Sequence, residues 1–386
     1  MAKRILIVTK PRDEHAHVVV TGLEMMGIKP TVFRFGMMPF YETHTVALGE
    51  KAQILVNDGL LLDEGVPFDR VWLRRIGPTS IGLADVAPND NTYVTKVMTA
   101  YRTSFFALLE RIATKHPRSM VNGYWAKLST ESKMLQLVEA RKVGLEVPDT
   151  IQSNDPDAIA AFQAKHGGRI ICKALVPHMW AGEDRRRAFC YTTILPPASE
   201  VPRESLRLHP AIYQPYVEKD FEARIIIFGG RQFGILIDSQ SDPSSTVDWR
   251  GKRLYKNNNR TYRLPEPVFA SCLAMMQSLG IEYGAFDFIV TPAGDHVFLE
   301  VNEGGQFVFV EDCAPEDRIT HAFCHFLVHG NLDGWSPESA TFSLKDILTS
   351  PEFERRRDAD LRIRDFESRF KVTAFDEAVG ALTRGG

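Results

Sequence analysis

The order of apolar and polar positions divides this chain before any chemistry is considered. Arg4 to Thr9 is an apolar run behind basic residues, the pattern of a strand covered on both faces. His15 to Met26 has apolar residues at helical spacing and stops at Gly27. Thr31 to Phe35 and Arg70 to Leu73 read as further strands, the latter running into Arg74 and Arg75. Strand, helix and strand in alternation predict an open sheet flanked by helices. No G-x-G-x-x-G follows the first strand, which argues against a dinucleotide fold. A long helix is predicted over Val94 to Lys115, and Pro117 to Gly123 has the turn chemistry of a boundary.

From Tyr124 the pattern changes. Ser129 to Val143 predicts a helix, with Ser129 as N-cap and Gly144 as stop. Val147 to Ile151 is extended, and Asp155 to His166 is helical. Arg169 to Leu175 is a strand with one lysine, Lys173, among apolar neighbours, and Ala188 to Ile194 is its return. Ala211 to Val217 is extended but broken by Pro215, which marks an edge or a hinge. Phe221 to Phe228 and Gln232 to Ser239 form a hairpin across Gly229-Gly230-Arg231. A helix over Pro267 to Leu279 and two more strands follow, and Thr320 to His329 closes this unit as a helix. Beyond Asn331 the chain is strongly charged, with Leu344, Ile347, Leu348, Leu361, Phe366 and Phe370 at helical spacing. Two amphipathic helices that dock on the body or on a partner are expected there. The resulting α/β (α+β) organisation has boundaries at 1–121, 122–213, 214–330 and 331–386.

One pair of strands carries the chemistry. Gly284 to Val290 and Val297 to Asn302 flank Thr291-Pro292-Ala293-Gly294-Asp295, a turn sequence, so they form a hairpin. Alternation puts Glu300 and Asn302 on one face and Val297, Leu299 and Val301 on the other. Pairing back from the turn brings Asp287 close to opposite Glu300. Two carboxylates and an amide oxygen on an apolar sheet repel one another unless a cation joins them, and such hard donors suit Mg²⁺ shared with nucleotide phosphates. Lys133, Lys173 and Arg224 are the matching bases: a lysine inside an apolar strand is costly unless an anion meets it, and polyphosphate is a natural partner.

Composition narrows the class. The chain has 386 residues, 44% hydrophobic and 25% charged, which suits a soluble globular protein of two or three domains. A net charge of −3 provides no global field for nucleic acid or anionic membrane, and no apolar run is long enough to span a bilayer. The scattered cysteines Cys172, Cys190, Cys272, Cys313 and Cys324 fit a reduced, cytoplasmic protein. His321, Cys324, His325 and His329 share helical spacing but lack a carboxylate partner, so a packed helix is expected over a zinc site. The acidic Glu311, Asp312, Glu316 and Asp317 are expected to be solvated, with a basic leader peptide as the alternative partner. No P-loop and no G-x-S-x-G occurs.

The order of these parts resembles the ATP-grasp superfamily and, more narrowly, its graspetide (microviridin-type) peptide ligases. The resemblance rests on Val71 to Arg75; Asn122 to Ala126 with Lys133 to Leu137; Gly144 to Thr150 with Asn154 and Asp155; Ser239 and Gln240 followed by Asp248 to Arg250; and Phe298 to Asn302 with Gly305 to Phe307. It spans roughly residues 1–330. It implies an N-terminal α/β domain, a lid-like central subdomain, a C-terminal antiparallel subdomain bearing the metal site, and a helical extension. Position by position it implies that Lys133 and Lys173 hold phosphates. Gln214, Tyr216 and Val217 form the hinge that reads adenine through backbone groups, with Glu218 on the ribose. Arg224 faces the transferred phosphoryl group, and Asp287, Glu300 and Asn302 bind Mg²⁺. Asp248 and Arg250 lie near the acceptor. The implied activity is an ATP- and Mg²⁺-dependent carboxylate–amine or carboxylate–hydroxyl ligase. It would crosslink a precursor peptide that docks by its leader; a homodimer is one option for its assembly, which the sequence leaves open. An intermolecular amino-acid or peptide ligase and a non-catalytic nucleotide-binding scaffold are the alternatives. Two departures stand out: Pro215 lacks a backbone N–H in the hinge, and the loop Pro177 to Asp184 that should cover the phosphates has a single glycine, so Arg185 to Arg187 are candidates to assist.

Overall fold

The computed structural model describes residues 3–35, 42–76, 88–175, 179–181, 187–189, 192–251 and 259–367. The chain forms two compact units: residues 1–126 with 318–386, and residues 127–317.

The first unit opens with β1 (Ile5–Thr9), α1 (Glu14–Met25) and β2 (Thr31–Arg34). A meander of β3 (His44–Leu48), β4 (Ala52–Val56) and β5 (Gly59–Asp63) follows, then β6 (Arg70–Leu73), α2 (Pro88–Ile112) and β7 (Met120–Val121). The main sheet has the order β2-β1-β6-β7 and is parallel throughout. Its central strands β1 and β6 are buried at every position, as a covered parallel sheet requires, while the edge strand β2 is half-exposed. Phe33, Phe35, Phe105 and Phe106 interlock with Leu6 and Val8 in its core.

The second unit begins within α3 (Tyr124–Thr130) and continues with α4 (Lys133–Lys142), β8 (Ile151–Ser153), α5 (Pro156–Lys165) and β9 (Ile170–Ala174). The helix expected over Ser129 to Val143 is two helices. Ser132, not Ser129, caps the second, its Oγ accepting from Leu135 N at 3.4 Å. After β10 (Met179–Ala181), β11 (Arg187–Phe189), β12 (Thr193–Ile194), α6 (Arg203–Leu208) and β13 (Ala211–Pro215), a sheet of order β12-β9-β13-β8 is complete. The second sheet takes β14 (Phe221–Phe228), β15 (Arg231–Ile237) and β16 (Arg260–Thr261). After α7 (Glu266–Leu279) it adds β17 (Tyr283–Val290) and β18 (His296–Asn302). Its order is β16-β15-β14-β17-β18, antiparallel throughout. The helix α8 (Val308–Cys313) ends the unit.

The chain then returns to its first unit through α9 (Ile319–His329), α10 (Leu344–Leu348) and α11 (Pro351–Glu367). Thr320 to His329 therefore belongs with the N-terminal sheet, not with the second unit as its sequence position suggested. Trp72 of β6 meets Phe323 edge-on at 4.9 Å between ring centres. Gly22 of α1 lets α9 approach; a Cβ there would lie 2.8 Å from Cys324 Sγ. Covered in this way, α1 buries eight consecutive residues, Ala16 to Leu23. His17 Nε2 meets Asp360 of α11 at 2.5 Å, and the same carboxylate accepts from Arg12 N at 2.9 Å. The tail helices thus dock on the body, one of the two options their pattern left open.

Candidate active site

The site lies on the inner face of the five-stranded sheet. Asp287 of β17 pairs with Arg224 of β14, and Ile289 with Glu222, so these four side chains share a face. From the turn inward, β17 and β18 pair Val290 with His296, Ile289 with Val297 and Phe288 with Phe298. The next pair is Asp287 with Glu300, because a β-bulge absorbs one residue. Strict alternation would set Asp287 opposite Leu299 and turn Glu300 to the apolar face of Phe286 and Phe288. The bulge has a second effect. Leu299, expected to face away with Val297 and Val301, instead lines a cleft beside Ile289.

Asp287, Glu300 and Asn302 do converge. Asn302 Nδ2 donates to Glu300 Oε1 at 3.0 Å and to Asp287 Oδ2 at 3.3 Å. Each carboxylate also meets a base: Lys133 Nζ donates to Glu300 Oε2, and Arg224 Nη1 to Asp287 Oδ2 at 2.6 Å. Burial alone would raise the Glu300 carboxyl, but the Lys133 ammonium and the Asn302 amide reverse this and lower it to about 2. Burial pushes Asp287 up, Arg224 offsets only part of that, and Glu300 adds to it. Burial also pulls the Lys173 ammonium down to about 8 against the attraction of Glu300, with Lys133 adding to the fall.

These residues fit a divalent cation. Two carboxylates face each other in an apolar sheet, and a side-chain amide bridges them where a hard cation would sit. Turning the Asn302 amide over would present its oxygen to that cation. Among the described residues no three His, Cys, Asp or Glu side chains gather as a metal-binding group. Gly305 keeps the space beside the cluster small: a Cβ there would lie 2.3 Å from Ala285 Cβ and 2.9 Å from Arg224 Nη2.

Beside the cluster, Pro148, Ile171, Gln214, Tyr216, Val217 and Leu299 line an apolar cleft. The hinge expected from sequence therefore forms its wall. Gln214 is 2% exposed. Its Nε2 donates to Thr150 Oγ1 at 2.9 Å while its Oε1 accepts from none of the described residues. An acceptor buried in this way costs roughly 1–3 kcal/mol, which a donor on a ligand would recover. The Arg169 guanidinium covers the Tyr216 ring at 3.8 Å and pairs with Glu218, which stands in solvent. Asp248 accepts from Thr192 N at 3.0 Å and binds Arg250 through Nε and Nη2 at 2.8 and 2.6 Å. Burial opposes ionisation of Asp248, but the guanidinium prevails and its carboxyl is lowered.

Sequence reasoning overlooked three contributors. Gln136, one turn after Lys133 on α4, takes both peptide groups of Val301: Val301 N donates to Gln136 Oε1 at 2.8 Å, and Gln136 Nε2 donates to Val301 O at 3.0 Å. Its three-residue spacing from Lys133 was the available signal. Lys219 and Glu222 form a buried pair at 2.6 Å next to the hinge. Elsewhere, His321 Nδ1 accepts from Trp335 Nε1 at 2.9 Å, which ties it into the packing of the first unit. The Pro177 to Asp184 loop and Arg185 and Arg186 lie outside the described residues, except for the backbone of Met179–Ala181; of Arg187 only the backbone, in β11, is described.

No protein-family model and no curated protein matches the sequence. Solved structures do. Macrocyclase MdnC bound with precursor peptide MdnA, from Microcystis aeruginosa MRC, matches at TM-score 0.70 and 26% identity, covering 84% of this chain and 99% of its own. Macrocyclase MdnB of the same organism matches at TM-score 0.67 and 26% identity, over 85% of this chain and 100% of its own. A RiPP-associated ATP-grasp ligase from Chryseobacterium gregarium, in complex with ADP and a leader and core peptide, reaches TM-score 0.73 at 22% identity, covering 88% and 100%. The fold is that of the ATP-grasp ligases. Within that class the chain resembles the graspetide maturases.

Proposed function

We propose that this enzyme uses ATP and Mg²⁺ to form side-chain amide or ester links within a ribosomal precursor peptide. The observation that carries the reading is the meeting of Lys133, Arg224, Asp287, Glu300 and Asn302 in one hydrogen-bonded cluster. Structures of PsnB complexed with a minimal precursor, Mg and ADP, and with precursor peptide PsnA2 and AMPPNP, support the nucleotide, metal and peptide of this proposal.

Asp287, Glu300 and Asn302 would hold the metal, which supplies charge neutralisation at the phosphates. The hinge Gln214–Val217 would receive adenine, with the Gln214 oxygen accepting from its amino group and Glu218 reaching the ribose. Lys133 and Lys173 would leave their present carboxylate environment for the phosphates. A peptide carboxylate oxygen attacks the γ-phosphorus and ADP leaves, giving an acyl phosphate. A lysine amine, or a serine or threonine hydroxyl, then attacks the acyl carbon. Inorganic phosphate departs and the nucleophile gives up its proton. Arg224 would face the transferred group, and Arg250, held by Asp248, the acceptor side. The residues position and neutralise; none becomes covalently attached.

The test is to offer candidate precursor peptides with Mg·ATP and follow ADP release and peptide mass together. Loss of one water per bond from a single peptide supports ring formation. Gain of an acceptor's mass points to intermolecular ligation. ADP release that no peptide stimulates counts against an enzyme.

A further inference from the structure

The strongest unassigned feature is the Lys219–Glu222 pair. Both side chains are almost wholly buried, at 2% and 8% exposure. Lys219 Nζ donates to Glu222 Oε1 at 2.6 Å and to Val247 O at 3.1 Å. The three residues belong to three functional segments. Lys219 follows the hinge and lines the apolar cleft with Tyr216 and Val217. Glu222 lies two positions before Arg224 on β14, on the same face. Val247 precedes Asp248, whose carboxylate grips Arg250.

Energetics argue against a purely stabilising role. Removing two charges from water costs several kcal/mol per ion, and an apolar pair of equal volume often does as well or better. What the ion pair offers instead is direction. An ammonium has three N–H bonds at fixed angles; one aligned on Glu222 and one on the Val247 carbonyl set the distance between cleft wall and loop. The segment 239–251 consists of short turns tied largely to one another, as in Ser245 Oγ to Ser239 O at 2.8 Å and Gln240 Nε2 to Thr246 O at 3.3 Å; outside it, Asp248 accepts from Thr192 N at 3.0 Å and the Trp249 ring centre lies 6.0 Å from that of Phe309.

We propose that Lys219 and Glu222 are positioning residues that couple occupancy of the nucleotide cleft to the placement of the acceptor-side loop carrying Asp248 and Arg250. Filling the cleft fixes the Lys219 stem, its ammonium fixes Val247, and the loop is held for the acceptor. The inference rests on the reading of the cleft as the nucleotide site.

Hydrogen exchange read by mass spectrometry on the full chain, with and without Mg·ADP at concentrations saturating each variant, tests it. In the native protein Mg·ADP should slow exchange across 239–251 by about fivefold or more, the lower end of ordinary coupling factors. In Lys219→Met, and in the double variant Lys219→Met/Glu222→Met, the hinge at 214–218 should still be protected. The slowing at 239–251 should fall below about twofold. The double variant replaces the pair by apolar side chains of similar volume and so keeps the test available if the single variant does not fold. Lys219→Arg should restore the coupling. Unchanged coupling in the double variant overturns the inference, as does native 239–251 exchange indifferent to Mg·ADP while the hinge responds. No protection of the hinge in the native protein would instead overturn the nucleotide reading, and the coupling with it.

Discussion

Gln136 offers the sharpest test of how the site is built. Strand β18 is the outer strand of its sheet, and an outer strand leaves peptide groups to be satisfied by something other than a neighbouring strand. At Val301 the Gln136 carboxamide does this, acting as a one-residue strand with one donor and one acceptor. Val301 is 1% exposed and sits between Glu300 and Asn302. Gln136→Met keeps the volume and removes both of these bonds and a third, from Gln136 Nε2 to Thr130 O at 2.5 Å. Three buried peptide groups losing partners, at about 1.5 kcal/mol each, give about 4.5 kcal/mol. For a unit of this size that is a fall of about 9–18 °C in melting temperature. Because the two residues flanking Val301 would hold the metal, Mg·ADP affinity should also fall by about tenfold, or about 1.4 kcal/mol. Thermal unfolding with and without Mg·ADP, and calorimetric titration, read the two effects separately. Native melting and native affinity in Gln136→Met would refute the view that this side chain sets the metal strand.

Other expectations concern single positions. Glu300→Ala should abolish Mg²⁺-dependent turnover, by 10³-fold or roughly so, with its circular dichroism unchanged; an active variant would remove Glu300 from the site. Lys173, pulled down to about 8 by burial, loses its charge as pH rises through that value, so Mg·ADP affinity should weaken by up to about tenfold per pH unit above about pH 8. The sign for stability is opposite. Between about 8 and its ordinary value of 10.5 the unfolded chain binds the extra proton, so this group makes folding more favourable as pH rises through that window. A pH-independent affinity would take Lys173 away from the phosphates. Gly305→Ala must displace Ala285 or Arg224, and a loss of turnover greater than the loss of stability is expected from comparing kcat with melting. Asp360→Ala removes the partner of His17 and of Arg12 N, at a cost of about 2–4 kcal/mol. Proteolysis within α11 should accelerate, and native resistance would show that the carboxylate does not anchor the helix.

Part of this was readable from residue order: Glu300 and Asn302, two apart, share a face of any strand, and the turn pointed to Asp287 as their neighbour, but the pairing of Asp287 with Glu300 depends on the bulge, while Arg224 falls directly opposite Asp287. The bulge was not readable: Phe298-Leu299-Glu300 contains no glycine to mark it, and it shows in the pairing register of β17 with β18 and in the packing of Leu299 in the cleft. The meander β3–β5 escaped because its short strands alternate irregularly around exposed Leu48 and Leu60. Gln136 and Lys219 were missed for a common reason: a glutamine on a helix and a lysine after a hinge look like surface residues until a distant backbone group claims them. Helix α9 was assigned to the wrong unit because its apolar residues state that something covers it, but not which sheet.

The return of residues 318–367 to the first unit has a consequence for synthesis. A ribosome releases β1, β2 and β6 long before it makes α9, so Trp72 must wait for Phe323 while the whole of 127–317 emerges. The middle of the chain can therefore mature first, although translation proceeds from the other end. A nascent chain stalled before residue 318 would carry an α/β sheet with one flank bare, an obvious client for chaperones.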